Sequence, residues 1–587
     1  VRVVSSTQHP TEVQAIVSHV LHLNRNQVVI ESPRMGGGFG GKETQGNTWA
    51  ALTAVAAMKT KKPVRVQLDR DVDMSVTGKR HPFYAQYDVG FDDDGKLLAA
   101  NVELVSDGGW ALDLSESISD RALFHLDNCY FIPNVRFQSR VGKTNVCSHT
   151  AFRGFGGPQG MLVIEEILDR IARALGKRPE DVRVANFYGG TGERNTTHYG
   201  ELLEDNRVER VWSRVIKSSN FAARREALAK LNATQTHVKR GIAVTPVKFG
   251  ISFTAAFLNQ AGALVIIYRD GTVQVNHGGT EMGQGLYTKM LGVAMLELGL
   301  PADRIRVMKT ETDKVPNTSA TAASSGADLN GAAVKNACET LRLRLADIAL
   351  DIWNRTDVDP ANVRFVDGRV FCADKPDLTI LFSTLADEAH LRQVQLSTTG
   401  FYRTPAISYD RIAGRGKPFH YFAYGAAVTE VEVDGFSGMK RVVRVDVVHD
   451  VGDSLNIGID RGQVEGGFIQ GMGWLTGEEL LWDDKGRLLS HSASTYQIPS
   501  IGDTPEVFHV EFLPDAAQNN TIHGSKAVGE PPLMLALSVR EAIRDAISAF
   551  GAPGGDVPLP CPATHEAIFA AVQLRLRDRE RASNAAE

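Results

Sequence analysis

The sequence predicts an α+β chain organised as two regions of related logic. Three observations carry this. Short Val- and Ile-rich runs alternate with stretches of helical composition along the 587 residues. The 55 glycines fall mostly in clusters, which marks loops where backbone approaches a neighbour closely or turns through positive φ. After position 260 a strand, turn, strand, glycine loop and helix restart the pattern of the first half.

In order along the chain, Val28-Val29-Ile30 reads as a strand and leads into the glycine cluster 36–41. Thr48 to Met58 (TWAALTAVAAM) is an Ala-rich helix, and Val64-Arg65-Val66-Gln67-Leu68 alternates as a strand does. Tyr84 to Val105 predicts two strands around the turn Asp92-Asp93-Asp94-Gly95. Met161 to Leu175 and Lys177 to Val184 read as helices. The charged, glycine-free connector from Ala223 to Arg240 separates regions 1–225 and 226–587. Beyond it come a strand from Ala263 to Tyr268, a turn at Arg269-Asp270-Gly271, a strand from Thr272 to Asn276 and a helix from Tyr287 to Leu298. The stretch from Asp351 to Thr379 has no clear period.

Hydrophobic residues at 43% and charged residues at 23% describe a soluble globular chain. The net charge of -5 gives no electrostatic basis for binding nucleic acid or an anionic membrane. The five cysteines (Cys129, Cys147, Cys338, Cys372, Cys561) lie far apart and form no CxxC pair. Their spacing supports neither a disulfide framework nor a zinc or iron–sulfur site, and points to a reduced, cytoplasmic setting. No run reaches the length of a membrane span, and no signal-peptide pattern is present. The chain opens on Val1-Arg2-Val3-Val4, without Met and in strand-like composition, so it reads as one piece of a longer polypeptide or a processed subunit.

The cluster Gly36-Gly37-Gly38-Phe39-Gly40-Gly41-Lys42-Glu43 nearly spells a P-loop, which requires Ser or Thr after the lysine. Glu43 stands there instead. A hydroxyl would ligate magnesium beside a polyphosphate, whereas a carboxylate adds charge of the wrong sign. No acidic strand end follows to complete a nucleotide hydrolase. Four further glycine segments accompany the first: Arg153 to Gln159 (RGFGGPQ), Gly278 to Gly285 (GGTEMGQG), Gln463 to Gly471 (QVEGGFIQG) and Lys526 to Pro532 (KAVGEPP). Such loops present N–H groups to an anion or to the polar edge of a flat heterocycle. Gln8, Gln159, Gln284, Gln463 and Gln470 are interleaved with them, and glutamine offers both donor and acceptor to amide-like edges.

Taken in order, GGGFGGKE, AFRGFGGPQ (Ala151 to Gln159), FGISFT (Phe249 to Thr254), GGTEMGQG, TAAS (Thr321 to Ser324), QVEG and KAVGEPP closely resemble the molybdopterin-binding part of the xanthine dehydrogenase/oxidase family. The resemblance runs from Gln8 to about Ile568. It implies two elongated molybdopterin-binding regions of mixed sheets and helices, with the cofactor at their interface. It also implies a molybdenum–pterin cofactor with oxo and sulfido ligands, the metal held by the pterin dithiolene.

The family's roles fall on matching positions. Glu530, in Gly529-Glu530-Pro531-Pro532, resembles the catalytic base. An isolated Gly-Glu-Pro-Pro is more often a loop stop, and the surrounding motifs reverse that reading. The implied reaction inserts water-derived oxygen at an electrophilic purine carbon, with hydride passing to the Mo=S group. Arg121 resembles the arginine that stabilises charge developing on the ring, although on its own Asp120-Arg121 reads as a helix-surface ion pair with Asp120 or Asp127. Glu43 resembles a second substrate carboxylate. Phe155 and Phe253 resemble the two phenylalanines that pack against the substrate ring, one face-on and one edge-on, and Thr254 a nearby hydrogen-bonding position. Gln8, Phe39 and Arg153 resemble residues that contact the ligands of molybdenum. Gly40, Gly283, Gln284, Ala322, Ala323, Ser324 and Gln463 match stretches that line the cofactor. His9 and His277, beside these loops, are expected to hydrogen-bond within them. His9-Pro10, Ser325-Gly326 and Ala332 depart from the animal pattern.

The resemblance places the 2Fe-2S clusters, FAD and the first part of the molybdenum domain on partner chains or other domains, and implies a dimer of such assemblies. Glu43 together with Arg121 goes with purine specificity, so hypoxanthine and xanthine are the expected substrates, ahead of aldehydes or another N-heterocycle. A non-catalytic scaffold subunit is the alternative of a different class, and the intact Glu530 and glycine loops speak against it.

Overall fold

The computed structural model describes residues 1–587 other than 190, 191, 193, 553 and 587, with 582–586 described by backbone only. A four-stranded sheet at its centre is ordered Val507–Phe512, Lys440–His449, Tyr421–Asp434, Val238–Ile251. The strand Val238–Ile251 runs antiparallel to Tyr421–Asp434 along its whole length, from Val238 opposite Asp434 to Ile251 opposite Tyr421. Its residues alternate between two cores. Ile242 and Val244 join one core, and Ala243, Val247, Phe249 and Ile251 join the other, as the two-residue side-chain period requires. Pro246 is tolerated because this strand lies at the sheet edge, where a missing N–H breaks no ladder. The helix Leu537–Ser548 covers the sheet closely. A Cβ at Gly241 would sit 2.1 Å from the Ala542 carbonyl oxygen.

The first region carries two smaller sheets. The predicted hairpin is present as Phe83–Phe91 and Leu97–Gly109, and the second strand then pairs in parallel with Val135–Lys143. Near the N-terminus Arg2–Val4 lies parallel to Val29–Ser32, and Thr310–Glu311 from the second half completes that sheet. Another four-stranded sheet, ordered Ser397–Arg403, Gln260–Ile267, Val273–His277, Ile305–Val307, packs under the helices Leu286–Leu298 and Gly326–Ile352. The aperiodic stretch from Asp351 to Thr379 contains two strands of an antiparallel meander, Val363–Val366 and Arg369–Cys372, and enters the third, Lys375–Leu381. The strand expected over Val64–Leu68 does not form: these residues have no β partner among the described residues.

Helix Gly157–Ala174 positions the site. Its Met161, Ile164, Ile167, Leu168 and Ile171 recur at helical spacing and are buried. Pro158 sits in the first turn, where its missing N–H costs nothing. Gly160 lets it cross helix Ser115–Phe124 at close range, since a Cβ there would lie 2.2 Å from the Ala122 carbonyl oxygen. A buried charge network ties the same helix to its neighbours. Arg183 meets Glu165 at 2.7 Å, Arg540 meets Glu166 at 2.9 Å and Arg544 meets Asp169 at 3.1 Å. Burial opposes the Arg183 charge, but Glu165, Tyr130 and Glu541 outweigh it and hold its pKa above the ordinary value. Among the described residues no helix is long and apolar enough to cross a membrane.

Candidate active site

Loops from both halves of the chain meet around Gln8, which is 2% exposed. Its Oε1 accepts from the N–H of Gly40 at 2.9 Å and of Lys42 at 3.3 Å, and its Nε2 donates to the Thr321 carbonyl at 3.0 Å. Its backbone N–H donates to the Lys42 carbonyl and its carbonyl accepts from Thr321 N–H, each at 2.9 Å. One side chain therefore ties the loops 36–43 and 321–325 together. Gly38 is required here, because a Cβ would lie 2.8 Å from Gln8 Oε1 and 2.7 Å from Met282 Sδ. Phe39 follows in left-handed backbone with φ +55° and is 48% exposed.

Glu530 stands at the start of the short helix Pro531–Met534 and is held on both carboxylate oxygens. Gly154 N–H donates to Oε1 at 3.1 Å and Ser324 Oγ donates to Oε2 at 2.9 Å. Ser324 Oγ in turn accepts from Glu530 N–H at 2.8 Å. These contacts depend on unusual backbone. Ala323 and Ser324 both lie in the left-handed region (φ +52° and +56°), as does Phe155 (φ +51°) between Gly154 and Gly156. Non-glycine residues held there cost about 1–3 kcal/mol each and persist where surrounding contacts enforce them, often at ligand sites.

Arg153 is buried across the seam between the halves. Its Nε donates to the Gly529 carbonyl at 2.5 Å, Nη1 to Gln470 Oε1 at 3.2 Å and Nη2 to the Gln463 carbonyl at 3.2 Å. Burial pushes its pKa down to about 10, and the Glu530 charge partly offsets that. Gln463, on helix Ile457–Thr476, keeps its carboxamide without a hydrogen bond among the described residues.

Glu43 and Arg121 both lie within the field of the same carboxylate. Glu43 is buried, and burial, reinforced by the charges of Glu530, Glu12 and Asp113, pushes its carboxyl up to about 8. Arg121 is not a surface ion pair. Its Nη1 donates to the Ser252 carbonyl at 2.9 Å and its Nη2 to the Gly250 carbonyl, and its guanidinium lies between the rings of Phe249 and Phe419. Burial lowers its pKa and Glu530 opposes that fall. Asp120 instead pairs with Arg411 at 2.7 Å, and Asp127 with Lys248 at 3.2 Å. The segment carrying Phe253 and Thr254 is locked by Asn259, which accepts from Phe253 N–H at 2.9 Å and donates to its carbonyl at 2.8 Å.

The loop with Gly283 and Gln284 is organised by a residue that sequence reasoning missed. Glu281 accepts from Gly283 N–H at 2.9 Å, Gly285 N–H at 3.0 Å and Tyr287 N–H at 2.9 Å, capping helix Leu286–Leu298. A carboxylate just ahead of a helical run is the signal that would have found it. Arg80 was missed as well. It donates to the Arg153 carbonyl at 2.9 Å and lies over Phe152 and Trp474. The expectation for His277 is corrected: both ring nitrogens are buried without a partner among the described residues, and the ring packs edge-on against Tyr287. His9 Nδ1 lies 2.7 Å from Glu12 Oε2.

The donor set suits a large planar cofactor rich in amide edges. Glutamine carboxamides, crowded glycines and left-handed loops from both halves face one another, and no cluster of His, Cys, Asp or Glu among the described residues is arranged to hold a metal directly. Gln8, Arg153 and Gln463 are the polar side chains that could meet such a cofactor.

Comparison with known proteins fits this picture. Residues 1–187 and residues 214–505 each match a molybdopterin cofactor-binding domain. Xanthine dehydrogenase/oxidase of Felis catus is 46% identical over 569 residues, which is 96% of this chain and 41% of that protein. Xanthine dehydrogenase of Dictyostelium discoideum is 46% identical over 550 residues, 93% of this chain and 38% of that protein. The chain thus spans about two fifths of the length of the curated relatives it matches. Among solved structures, quinoline 2-oxidoreductase from Pseudomonas putida 86 superposes with a TM-score of 0.86 at 24% identity, covering 98% of this chain and 72% of that one, and shows the fold. The aldehyde oxidoreductase from Desulfovibrio desulfuricans ATCC 27774 gives 0.82 at 25% identity over 97% of this chain and 57% of that one.

Proposed function

The chain belongs to the xanthine dehydrogenase/oxidase family, as its molybdopterin-binding part, and we propose that it oxidises hypoxanthine to xanthine and xanthine to urate within a larger assembly. The observation that carries this reading is Glu530, held by Ser324 and Gly154 in a field shared with Glu43 and Arg121.

When bound, the molybdenum–pterin group, with oxo and sulfido ligands, supplies the oxygen nucleophile and accepts the electron pair. The chain's residues do the rest. Glu530 receives the proton of the attacking oxygen at a carboxylate oxygen, and the donors on Oε1 and Oε2 fix its orientation. Glu43, protonated near neutral pH, offers an O–H to a purine nitrogen or carbonyl. Arg121, oriented by its two carbonyl partners, places positive charge where negative charge builds on the ring. Phe155 and Phe253 pack against the ring, one face-on and one edge-on, with Thr254 beside them, while Gln8, Phe39, Gly40, Gly283, Gln284, Ala322, Ala323 and Gln463 line the cofactor. A pocket that pairs substrate N–H and C=O groups disfavours analogues lacking them, because its own buried groups are then left unpaired. In this reading the regions 1–225 and 226–587 clasp the cofactor between them, and electrons leave through 2Fe-2S and FAD groups on other chains or domains.

The test is urate formation from xanthine by the assembled enzyme, with molybdenum and pterin content measured on the same sample. An assembly containing both that oxidises aldehydes but no purine would overturn the substrate assignment.

A further inference from the structure

Seven consecutive residues, Lys62 to Leu68, make no backbone hydrogen bond to any described residue. Their Val-Arg-Val-Gln-Leu alternation is that of a strand, yet none of them has a β partner among the described residues. Unpaired N–H and C=O groups in such a run form a template for another strand. Val66 is 48% exposed. The helix that follows, Arg70–Val76, buries none of its residues, and its Val72 and Val76 share one exposed face.

Next to this helix lies a cavity of about 290 Å³ lined by Met74, Cys147, His149, Trp482, Arg487 and Leu488, among others. The His149 side chain is 1% exposed; its Nε2 stands 3.8 Å from Asp107 Oδ2, beyond hydrogen-bond reach, and neither ring nitrogen has a hydrogen-bond partner among the described residues. Leaving such a group unpaired costs about 1–3 kcal/mol, so the cavity is shaped for an incoming polar group. Leu481 and Leu489 stand exposed beside it.

Charge indicates what arrives. Lys59, Lys61, Lys62 and Arg65 are all exposed, and none forms an ion pair among the described residues. Length indicates where it comes from. The chain of the quinoline enzyme shares this fold over 98% of the present chain, which accounts for only 72% of its own length.

We propose that Lys62–Leu68, the helix Arg70–Val76 and the cavity at Trp482 form the seat of an acidic, strand-forming segment from the remaining part of the molybdenum-binding module. The segment adds a strand alongside Val64–Leu68, sets acidic side chains against the four free cations, and sends one polar side chain to His149. This proposal rests on the family reading given above.

The test is hydrogen–deuterium exchange on the assembled holoenzyme, joined to zero-length carbodiimide cross-linking at Lys61 and Lys62. The amides of Val64 to Leu68 are expected to exchange about 100-fold or more slowly than the intrinsic rate. The lysines should cross-link to Asp or Glu of the unmatched molybdenum-module segment. Digestion then shows whether that segment is continuous with this chain or carried on a separate one. Val66→Pro, which removes a ladder donor, should abolish the protection locally, and Lys61→Glu with Lys62→Glu should abolish the cross-link. Intrinsic-rate exchange in the assembly, or cross-links to an iron–sulfur or flavin chain or to a second copy of this chain, would overturn the proposal. Molybdenum content and urate formation, read on the same sample, report the functional assignment separately: protection without urate breaks that assignment and leaves the docking surface intact.

Discussion

Ser324 and Glu530 close a reciprocal pair of hydrogen bonds. The hydroxyl donates to the carboxylate at 2.9 Å and accepts from the Glu530 backbone N–H at 2.8 Å. Ser324 can do this because its backbone is left-handed and because Gly529 has no Cβ, which would sit 2.9 Å from the hydroxyl. Ser324→Ala removes a hydrogen bond to an ionised group, worth about 1.5–3 kcal/mol. The expected outcome is a fall in kcat of roughly tenfold or more with molybdenum content unchanged, checked by steady-state kinetics alongside metal analysis.

On the proposed reading, Glu43 distinguishes substrates. Glu43→Ala should weaken purine oxidation more than aldehyde oxidation, because only purines present the groups its carboxyl pairs with. Comparing kcat/KM for xanthine and for an aromatic aldehyde checks this, and equal losses on both would remove the assignment.

The same carboxyl gives a pH signature. With its pKa raised to about 8 by burial and neighbouring carboxylates, Glu43 keeps its proton in the folded state where the unfolded chain, near 4.5, has lost it. Its contribution to stability is therefore full below about 4.5 and is lost as pH rises through about 8. Glu43→Gln does not titrate, so its thermal midpoint should gain on the parent enzyme between pH 5 and pH 9. A difference that is flat across that range would contradict the buried, protonated state.

Gly156 tests the cradle's backbone. It adopts φ +95°, and a Cβ would lie 2.0 Å from the Ile118 carbonyl oxygen. Gly156→Ala should shift the 153–156 loop and reduce bound pterin, read by cofactor release and fluorescence. Gly176→Ala, also at positive φ but with nothing near the added carbon, should leave pterin content unchanged.

The buried network offers a stability test. Glu165→Ala removes the 2.7 Å partner of the buried Arg183, leaving Glu541 at 3.9 Å, and should cost about 3–5 kcal/mol, whereas Asp120→Ala, which loses an exposed partner of Arg411, should cost under about 1 kcal/mol. Denaturant midpoints of the two variants measure the contrast.

Much of this was legible in the sequence where a local period or an uncommon motif carried it. The hairpin at Asp92–Gly95, the helix after Gly156 and the strands flanking Gly271 all follow from patterning and turn chemistry. What was hidden depends on contacts made far along the chain. The burial of Arg121 needs the carbonyls of Gly250 and Ser252, more than a hundred residues away, so Asp120 looked like its natural partner. Arg80 acts through the Arg153 carbonyl, and no local signal marks it. Val64–Leu68 has the composition of a strand but no β partner among the described residues, since pairing is a property of two segments and composition reads only one.

The most direct test of the central claim is urate formation by the assembled Glu530→Gln enzyme, with molybdenum and pterin measured on the same preparation. Glutamine preserves the shape and the Ser324 contact but cannot take up a proton. The prediction is cofactor content equal to that of the parent enzyme and urate formation reduced about a thousandfold or more. A fully loaded Glu530→Gln enzyme that forms urate within tenfold of the parent rate would show that the proton goes elsewhere.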